Sequence, residues 1–462
     1  MRIEKDSLGE LEVPDDAYYG VQTARAIRNF PISGLRAHPE WIRAVALIKM
    51  AAAKANHALG YLERDKANAI IEASAAVSDG KFNDQIVVDV FQAGAGTSFH
   101  MNVNEVIANL GCEHLGSVKG DYKKLSPNDH VNMGQSTNDV IPTSIRLSAL
   151  ALVPGLLSEL NELGNAFRDR AKAFDGILKS GRTHLQDAVP VRLGQEFGGY
   201  AAAVQKQTGR VAEASRSLQD LGIGGSAAGT GVNTHPEYTG LVVRFLSELT
   251  GLPLRPATNL FEAMQSMAPF TELSGALRNL CLELIRIAND LRLLASGPNT
   301  GLHEIDLPAV QPGSSIMPGK VNPVMAEMLN MVCFHVIGND TCVAVAAQAG
   351  QLELNVMMPV IAYNLLQSLK ILTSAVAVFR EKCVAGIEAN SEACNLYADR
   401  TLALATVLNP YIGYLNAAEV AKESLRTGKS IKQIVKERKL LSDEQFAQVF
   451  DPAHLTEPRK IK

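Results

Sequence analysis

The sequence has 462 residues, of which 47% are hydrophobic, 20% charged and only 5% aromatic. This composition is ordinary for a soluble globular protein, and the length predicts two or three domains rather than a single core. The formal net charge of −4 argues against a nucleic-acid partner and against an anionic membrane surface.

The first segment, residues 1–136, is predicted to be a mixed but mostly helical N-terminal domain. Its charged start, "MRIEKDSLGELEVP", lacks the apolar stretch of a signal peptide. Within it, "LGELEVP" is a short strand candidate. The Ala- and Leu-rich window from Trp41 to Leu62 predicts a helix.

The central segment, residues 137–395, is predicted to be a domain of unusually long helices. Pro154 is expected to kink or interrupt the first of them. These predicted helices would be apolar on more sides than a single buried stripe requires, which favours a large bundle or packing against other subunits. No charge-free apolar run reaches the roughly 18 residues that span a bilayer, so no membrane segment is expected. The windows are residues 142–174, 194–221, 266–296, 323–351 and 355–382.

The last segment, residues 396–462, is predicted to be a small domain of short amphipathic helices, one of them capped by Ser442 or Asp443. Six cysteines are scattered along the chain without a CxxC or Cys/His cluster, so we expect no zinc site. In a chain of this length they indicate reduced thiols and a cytoplasmic protein.

Three polar loops interrupt the helical pattern. "GAGTSFHMNVNE" offers Thr97 and Ser98, which suit either a capped helix start or an anion site at a helix N-terminus. "SPNDHVNMGQSTND" presents more hydrogen-bonding side chains before a helix than one N-cap uses, and they suit a carboxylate. His130 in the same loop is either a base or, as we favour, structural. "SGRTHLQDAVP" holds His184, which is either an ordinary loop histidine or a group that faces a substrate.

Two glycine-rich stretches fail the tests for nucleotide sites. "LGIGGSAAGTGVNT" departs from GxGxxG because Ala227 stands at the third glycine position, and no strand pattern precedes it. "GSSIMPGKVNP" departs from a P-loop because five residues separate Gly313 from Gly319 and because Val321 follows Lys320. The second stretch instead suits a lid that closes over an anionic substrate, and no cofactor is expected.

The four segments "GAGTS", "GQSTND", "GRTHLQDAVP" and "GSSIMPGKVNP" closely resemble, in order, the active-site segments of the aspartase/fumarase superfamily. The resemblance covers essentially the whole chain. It implies a mainly α, three-domain fold with a central bundle of long helices. It also implies a homotetramer whose active sites combine loops from three subunits and bind a small dicarboxylate.

Within the superfamily, "GAGTS", "QSTND" and "AGQLELNV" resemble the ammonia-lyase members more than the class II fumarases. The expected reaction is therefore the reversible deamination of L-aspartate to fumarate and ammonia. Hydration of fumarate to malate, or a lyase reaction on a substituted aspartate, remains the alternative.

The resemblance assigns most of the polar loop residues to the two substrate carboxylates. Those implied to bind the β-carboxylate are Thr97, Ser136, Thr137 and Ser315. Those implied to bind the α-carboxylate are Thr183, Lys320 and Asn322. No metal ligand is implied.

Four further residues are implied to act at the reacting atoms. Ser314 is the implied base, acting as an alkoxide, so the pKa of its hydroxyl must fall sharply, and we expect Lys320 and backbone N–H groups of the loop to lower it. His184 and Asn138 are implied to face the amino group, and Glu327 to orient His184. The chain departs from the usual pattern at Asn299, His303 and Met358, which indicates either a compensated change or a different substrate.

Overall fold

The computed structural model of the protein describes residues 1–458, and most of these residues are helical. The helices of the first half are α1 Val21–Asn29, α2 Pro39–Ala58, α3 Arg64–Ser78, α4 Thr97–His114, α5 Thr137–Ala173, α6 Leu193–Ala214, α7 Tyr238–Thr250 and α8 Leu260–Gln265. Those of the second half are α9 Ala268–Leu294, α10 Val324–Gln348, α11 Met358–Lys382, α12 Ser391–Arg400, α13 Asn409–Ile412, α14 Tyr414–Thr427, α15 Ile431–Glu437, α16 Asp443–Val449 and α17 Pro452–Thr456.

Strands contribute little and pair two by two. They are β1 Arg2–Asp6, β2 Gly9–Val13, β3 Leu178–Thr183, β4 Gln186–Arg192, β5 Asp220–Leu221, β6 Arg255–Pro256, β7 Ile305–Asp306 and β8 Glu388–Ala389. The pairs β1–β2, β3–β4 and β7–β8 are antiparallel, and β5–β6 is parallel. The strand candidate "LGELEVP" is therefore confirmed as part of the first hairpin, and the mainly α fold class is confirmed.

The five long helices predicted for the central segment are present as α5, α6, α9, α10 and α11. Pro154 does not interrupt the first of them, since α5 runs without a break through Pro142 and Pro154, and the alternative of a kink at Pro154 stays a prediction. Burial of α5 offsets the missing backbone hydrogen bonds, because a helix buried among neighbours is stabilised mainly by packing rather than by its own propensity.

The chain forms two compact units, and the division falls within the five long helices. Unit 1 comprises residues 1–157, 209–281 and 333–373, and unit 2 comprises residues 158–208, 282–332 and the chain from Ser374 onward. In unit 1 the Trp41 ring stacks on Phe99 at 4.1 Å and its Nε1 donates to Ser144 Oγ at 2.7 Å, which joins α2, α4 and α5. In unit 2, Phe197 packs edge-on against Phe174 at 5.1 Å.

The tail contains the short helices that were predicted, and they enclose an apolar cluster that includes Leu408, Val420 and Ile434. The predicted cap at Ser442 is confirmed as a capping box. Its hydroxyl accepts the N–H of Gln445, and the Gln445 side chain accepts the N–H of Ser442.

Within residues 1–458, three helices are long and apolar enough to cross a membrane, although no such segment was expected. They are Thr137–Ala173, Val324–Gln348 and Met358–Gly386, whose most apolar windows are 72%, 39% and 50% buried. The chain itself thus covers most of the apolar window of α5. Large apolar side chains stay exposed on α10, among them Met331 at 63%, Phe334 at 58% and Val345 at 57%.

Candidate active site

The "GAGTS" loop places Thr97 at the start of α4. Gly96 is the N-cap of this helix, with a φ of 87°, and as a glycine it supplies no side-chain cap. Gln92 instead accepts the Phe99 N–H of the first turn through its Oε1 at 2.7 Å. The expected Ser/Thr cap is therefore not formed by Thr97 or Ser98, and the Thr97 side chain is exposed. An anion site at this helix start stays a prediction.

Gly94 fixes this loop against the segment that leads into α11. Its carbonyl accepts the N–H of Met358 at 3.2 Å. A Cβ on Gly94 would stand 1.9 Å from the carbonyl oxygen of Val356, which no real contact tolerates. Met358, one of the departures from the family pattern, thus supports the loop through its backbone while its side chain is buried.

We expect Gly94→Ala to destabilise unit 1 by roughly 1–3 kcal/mol and to lower activity, because the backbone must move to admit the methyl group. Thermal unfolding and turnover, measured on the same preparation, check this. Gly240→Ala in α7 is the matched control, because a Cβ there meets nothing within 4 Å. A Gly94→Ala protein as stable and active as the control would show that the close approach is unimportant.

Asp89 secures the chain just ahead of the same loop. Its carboxylate accepts the N–H groups of Ser33, Gly34 and Phe91 and the Ser33 hydroxyl, at 2.7–2.9 Å. Burial by itself raises the pKa of Asp89. The hydrogen bonds outweigh burial and lower the pKa from 3.8 to about 2.

A carboxyl whose pKa is depressed by folding contributes stability that is present above its unfolded pKa and lost as the folded group is protonated. We therefore expect the stabilisation from Asp89 to disappear as the pH falls from about 4 to about 2. Asp89→Asn should flatten the dependence of the unfolding free energy on pH in this window, which denaturant titrations at several pH values measure. An unchanged slope would mean that Asp89 does not carry this effect.

The "GQSTND" loop forms the start of α5. Ser136 Oγ accepts the Asn138 N–H at 3.2 Å, and Asp139 Oδ1 accepts the Ser136 N–H at 2.9 Å. These reciprocal bonds leave the Thr137 side chain half-buried at the helix N-terminus. The loop thus presents hydroxyl groups together with helix N–H groups, as a carboxylate site requires.

The glycine stretch that failed the dinucleotide test is the partner of this loop. Asp139 Oδ2 accepts the N–H groups of Gly224 and Ser226, each at 3.0 Å, and Asn138 Nδ2 donates to the Ala227 carbonyl at 2.8 Å. Burial raises the pKa of Asp139 to about 6, against the opposing effect of its N–H donors. Asp139 was not selected as a site residue from the sequence. The only feature of the sequence that pointed to it was its position directly after the predicted substrate residues.

His130 is structural, as we favoured. Its Nδ1 accepts the N–H of Ser126 at 2.8 Å, and its Nε2 lies 3.3 Å from Lys66 Nζ. Both ring nitrogens are therefore engaged, one by the loop and the other by α3.

The "GRTHLQD" segment is the tip of the hairpin formed by β3 and β4. Its two turn residues, His184 and Leu185, have φ values of 56° and 58°. A turn with two left-handed residues favours Asn and Gly, so a histidine and a leucine here impose backbone strain. Thr183 and His184 are exposed at this tip, and strain of this kind is typical of functional sites.

Buried ion pairs anchor the base of the hairpin. Arg182 Nη1 donates to both carboxylate oxygens of Glu304, at 3.0 and 2.9 Å. Lys179 Nζ lies 3.2 Å from Glu304 and donates to Glu196 at 2.8 and 2.9 Å. Lys179 and Glu304 are almost wholly buried, so each charge depends on the others for compensation.

The "GSSIMPGKVNP" loop is closed at its base. The Gly313 N–H donates to the Lys320 carbonyl at 2.8 Å, and Asn322 Nδ2 donates to the Gly313 carbonyl at 2.6 Å. One N–H of the Asn322 amide is thus used by the loop itself, which leaves the other for the substrate role that was predicted. Lys320 is exposed, as is Ser315.

Within the loop, Ser314 Oγ accepts the N–H groups of Ile316 at 3.2 Å and Met317 at 3.0 Å. Two donors aimed at one oxygen stabilise a negative charge on it and so favour deprotonation of the hydroxyl. A cavity of about 490 Å³ is lined by Ser314, Met317 and Lys320 among others. Its volume is in the range of small-molecule sites.

The predicted residues belong to both units. Those in unit 1 are Thr97, Ser136, Thr137 and Asn138. Those in unit 2 are Thr183, His184, Ser314, Ser315, Lys320, Asn322 and Glu327. Among the described residues of this chain, His184 and Glu327 form no hydrogen bond with each other, so their pairing stays a prediction.

His303, another departure from the family pattern, is held within unit 2. Its Nε2 lies 2.9 Å from Asp306 Oδ1, and its Nδ1 lies 3.2 Å from Asn390 Nδ2. With a φ of 47°, it occupies a turn where glycine would be unstrained. These contacts fix the position of the His303 ring at the turn. Asn299 lies in an exposed bend nearby in the sequence.

Known proteins resemble the chain along its whole length. A lyase family model matches residues 9–338, and a model of the fumarase C C-terminus matches residues 404–457. An aspartate ammonia-lyase from Pseudomonas aeruginosa is 50% identical over 100% of this chain and 98% of its own. A class II fumarate hydratase from Halobacterium salinarum is 52% identical over 98% of this chain and 97% of its own.

Among solved structures, a fumarate lyase:delta crystallin from Brucella melitensis superimposes with a TM-score of 0.96. It is 47% identical, and the match covers 99% of this chain and 100% of the other. Sequence identity at this level over complete chains means that the fold and the order of the active-site segments are shared. The chain therefore belongs to the aspartase/fumarase superfamily of lyases.

Proposed function

We propose that the protein is an aspartate ammonia-lyase, which converts L-aspartate reversibly to fumarate and ammonia. The observation that carries the proposal is the Ser314 loop, where two N–H groups converge on a serine oxygen beside a lysine. The choice of aspartate rests on the ammonia-lyase forms of "GAGTS" and "QSTND". It is supported by relatives of that name at 47–50% identity over the full chain.

In this mechanism the Ser314 alkoxide removes the proton from carbon 3 of aspartate. The electron pair moves into the β-carboxylate to form an aci-carboxylate, and it then expels the amine from carbon 2. Fumarate and ammonia are the products. The C–H proton is very weakly acidic, so fixed donors must stabilise the intermediate.

The donors proposed for the β-carboxylate lie mainly at two helix starts. The N-termini of α4 and α5 add partial positive charge where this carboxylate becomes dianionic. The side chains proposed to bind it are Thr97, Ser136, Thr137 and Ser315. Those proposed for the α-carboxylate are Thr183, Lys320 and Asn322.

The amino group is proposed to face His184 and Asn138. The strained turn holds the His184 ring at the hairpin tip, and Glu327 is proposed to orient it from a neighbouring subunit. A neutral imidazole can accept a hydrogen bond from the departing amine.

We also propose a homotetramer whose active sites combine residues from three subunits. The support is the apolar surface left exposed on α10 by Met331, Phe334 and Val345, since patches of this kind are usually covered by a partner. Light scattering should give four times the mass of one chain. A monomer would contradict this assembly and would require another explanation for the exposed face.

The segments 1–136, 137–395 and 396–462 are proposed as the three domains, with the apolar cluster of the tail as support for the last. A cytoplasmic location is proposed because the cysteines are free and five of them are buried. In this proposal, the two less buried apolar helices, α10 and α11, are covered by other subunits rather than by lipid.

The reverse reaction tests the proposed substrate directly. The protein incubated with fumarate and ammonium should form L-aspartate, detected by amino-acid chromatography, and fumarate without ammonium should remain unchanged. Malate formed at a comparable rate without ammonium would instead support class II fumarase activity. The Halobacterium salinarum relative is the observation that favours this second candidate.

A further inference from the structure

A fully buried lysine in unit 1 lies behind the proposed substrate residues. Lys49 of α2 has no exposed surface. Its Nζ lies 2.6 Å from His100 Nε2, and it donates to Asn132 Oδ1 at 3.0 Å and to Gln135 Oε1 at 2.8 Å. An ammonium group has three hydrogen atoms, and these three acceptors match them.

His100 continues the chain of hydrogen bonds toward the loop. It is fully buried in α4, and its Nδ1 lies 2.8 Å from Thr137 Oγ1. Burial, together with the nearby charge of Lys49, holds the pKa of His100 well below its usual value, so the ring is neutral. A neutral imidazole donates through one nitrogen and accepts through the other.

The direction of the bonds follows from the lysine. If Lys49 donates to Nε2, the single proton of the ring must be on Nδ1, and this N–H donates to Thr137 Oγ1. The hydroxyl oxygen then accepts from His100, so its own hydrogen atom points elsewhere. Thr137 is half-buried and is the last residue in this series of hydrogen bonds. It lies at the N-terminus of α5, where an anion is expected.

We propose that Lys49 and His100 are positioning residues that fix the Thr137 hydroxyl as a hydrogen-bond donor to the substrate carboxylate. This inference rests on the proposed function for the identity of the substrate. The tautomer of His100 does not depend on it.

A neutral Lys49 would reverse both hydrogen bonds of the His100 ring. The amine would donate to the two amide oxygens and accept from Nε2–H, Nδ1 would accept from Thr137, and the hydroxyl would turn its lone pairs toward the anion. Burial holds the pKa of Lys49 well below its usual value, and the negative charge of Asp139 opposes this effect. Three backbone N–H donors stabilise that carboxylate in the ionised form that favours an ammonium on Lys49.

The first test is spectroscopic and needs no substrate. The protein is prepared with ¹⁵N-labelled histidine rings, and the His100 signals are identified by their loss in His100→Gln. Solid-state NMR should show a neutral ring protonated on Nδ1. A ring protonated on Nε2 would overturn the proposal, even in a protein that deaminates aspartate.

The second test is a double-mutant cycle on the steady-state kinetics. Thr137→Val should raise KM about tenfold to a hundredfold, as for loss of a hydrogen bond to a charged group. Lys49→Met should raise it to a similar extent, because the ring then changes tautomer and Thr137 donates to His100 instead. Adding Lys49→Met to Thr137→Val should have little further effect.

Ser136→Ala is the matched control, since Ser136 lies at the same helix start and has no bond to His100. In the double variant, the increases in KM caused by Ser136→Ala and by Lys49→Met should multiply. If the increases caused by Thr137→Val and Lys49→Met also multiplied, the proposal would be overturned, because Lys49 would then act only through general stability. If the wild-type protein does not turn over aspartate, the proposed function fails. The NMR measurement still decides the direction of the hydrogen bonds that join Lys49, His100 and Thr137.

Discussion

Ser314→Ala is expected to lower kcat about a thousandfold or more, the effect of removing a positioned general base, while aspartate still binds. The hydroxyl accepts the N–H groups of Ile316 and Met317, which are oriented before any substrate arrives. These donors favour the alkoxide over the alcohol, and they must outweigh the loss of solvation that the charged oxygen undergoes if the loop closes. Loss of the oxygen removes the base and leaves the carboxylate contacts intact.

Ser315→Ala is the matched control for this experiment. It removes a hydroxyl from the adjacent, exposed position of the same loop, and we expect it to raise KM more than it lowers kcat. Steady-state kinetics with aspartate compare the two variants, and circular dichroism checks their folding. A Ser314→Ala protein with nearly wild-type kcat would eliminate Ser314 as the base.

Lys320→Met is expected to raise KM for aspartate about tenfold to a hundredfold, with a smaller change in kcat. The ammonium group is exposed on the loop whose base is closed by the Gly313 and Asn322 hydrogen bonds, so it is free to pair with the α-carboxylate. An interaction made equally in the ground state and the transition state affects binding rather than turnover. Its loss therefore appears in KM.

Lys320→Arg retains the charge and should recover part of the affinity, because a guanidinium also binds carboxylates but requires a different geometry. Lys422→Met, on an exposed surface of the tail, controls for a general loss of positive charge. Unchanged affinity in Lys320→Met would remove this residue from the carboxylate site.

Local patterns predicted much of this fold. The long apolar windows became α5, α6, α9, α10 and α11, and the cap predicted at Ser442 or Asp443 formed at Ser442. Such features depend on neighbouring residues, which periodicity and capping rules describe well. Pro154 did not interrupt α5, because packing of the helix as a whole outweighed a local preference.

Many contacts that hold the site residues in place join residues that are far apart in the sequence, so they were not predicted from the sequence. Asp139 binds the backbone of Gly224 and Ser226 more than eighty residues away, which turned a failed nucleotide motif into the partner of the "GQSTND" loop. Lys49 meets His100 from a different helix. The periodicity of hydrophobic residues cannot predict contacts of this kind, because they depend on how the helices pack.

The most direct test of the account is the ultraviolet absorbance of fumarate, followed after the protein is mixed with L-aspartate or L-malate in parallel. We predict a steady rise in absorbance with aspartate, absent in Ser314→Ala, and little or no rise with malate. A rise with malate and none with aspartate would contradict the account, and it would make the protein a class II fumarase.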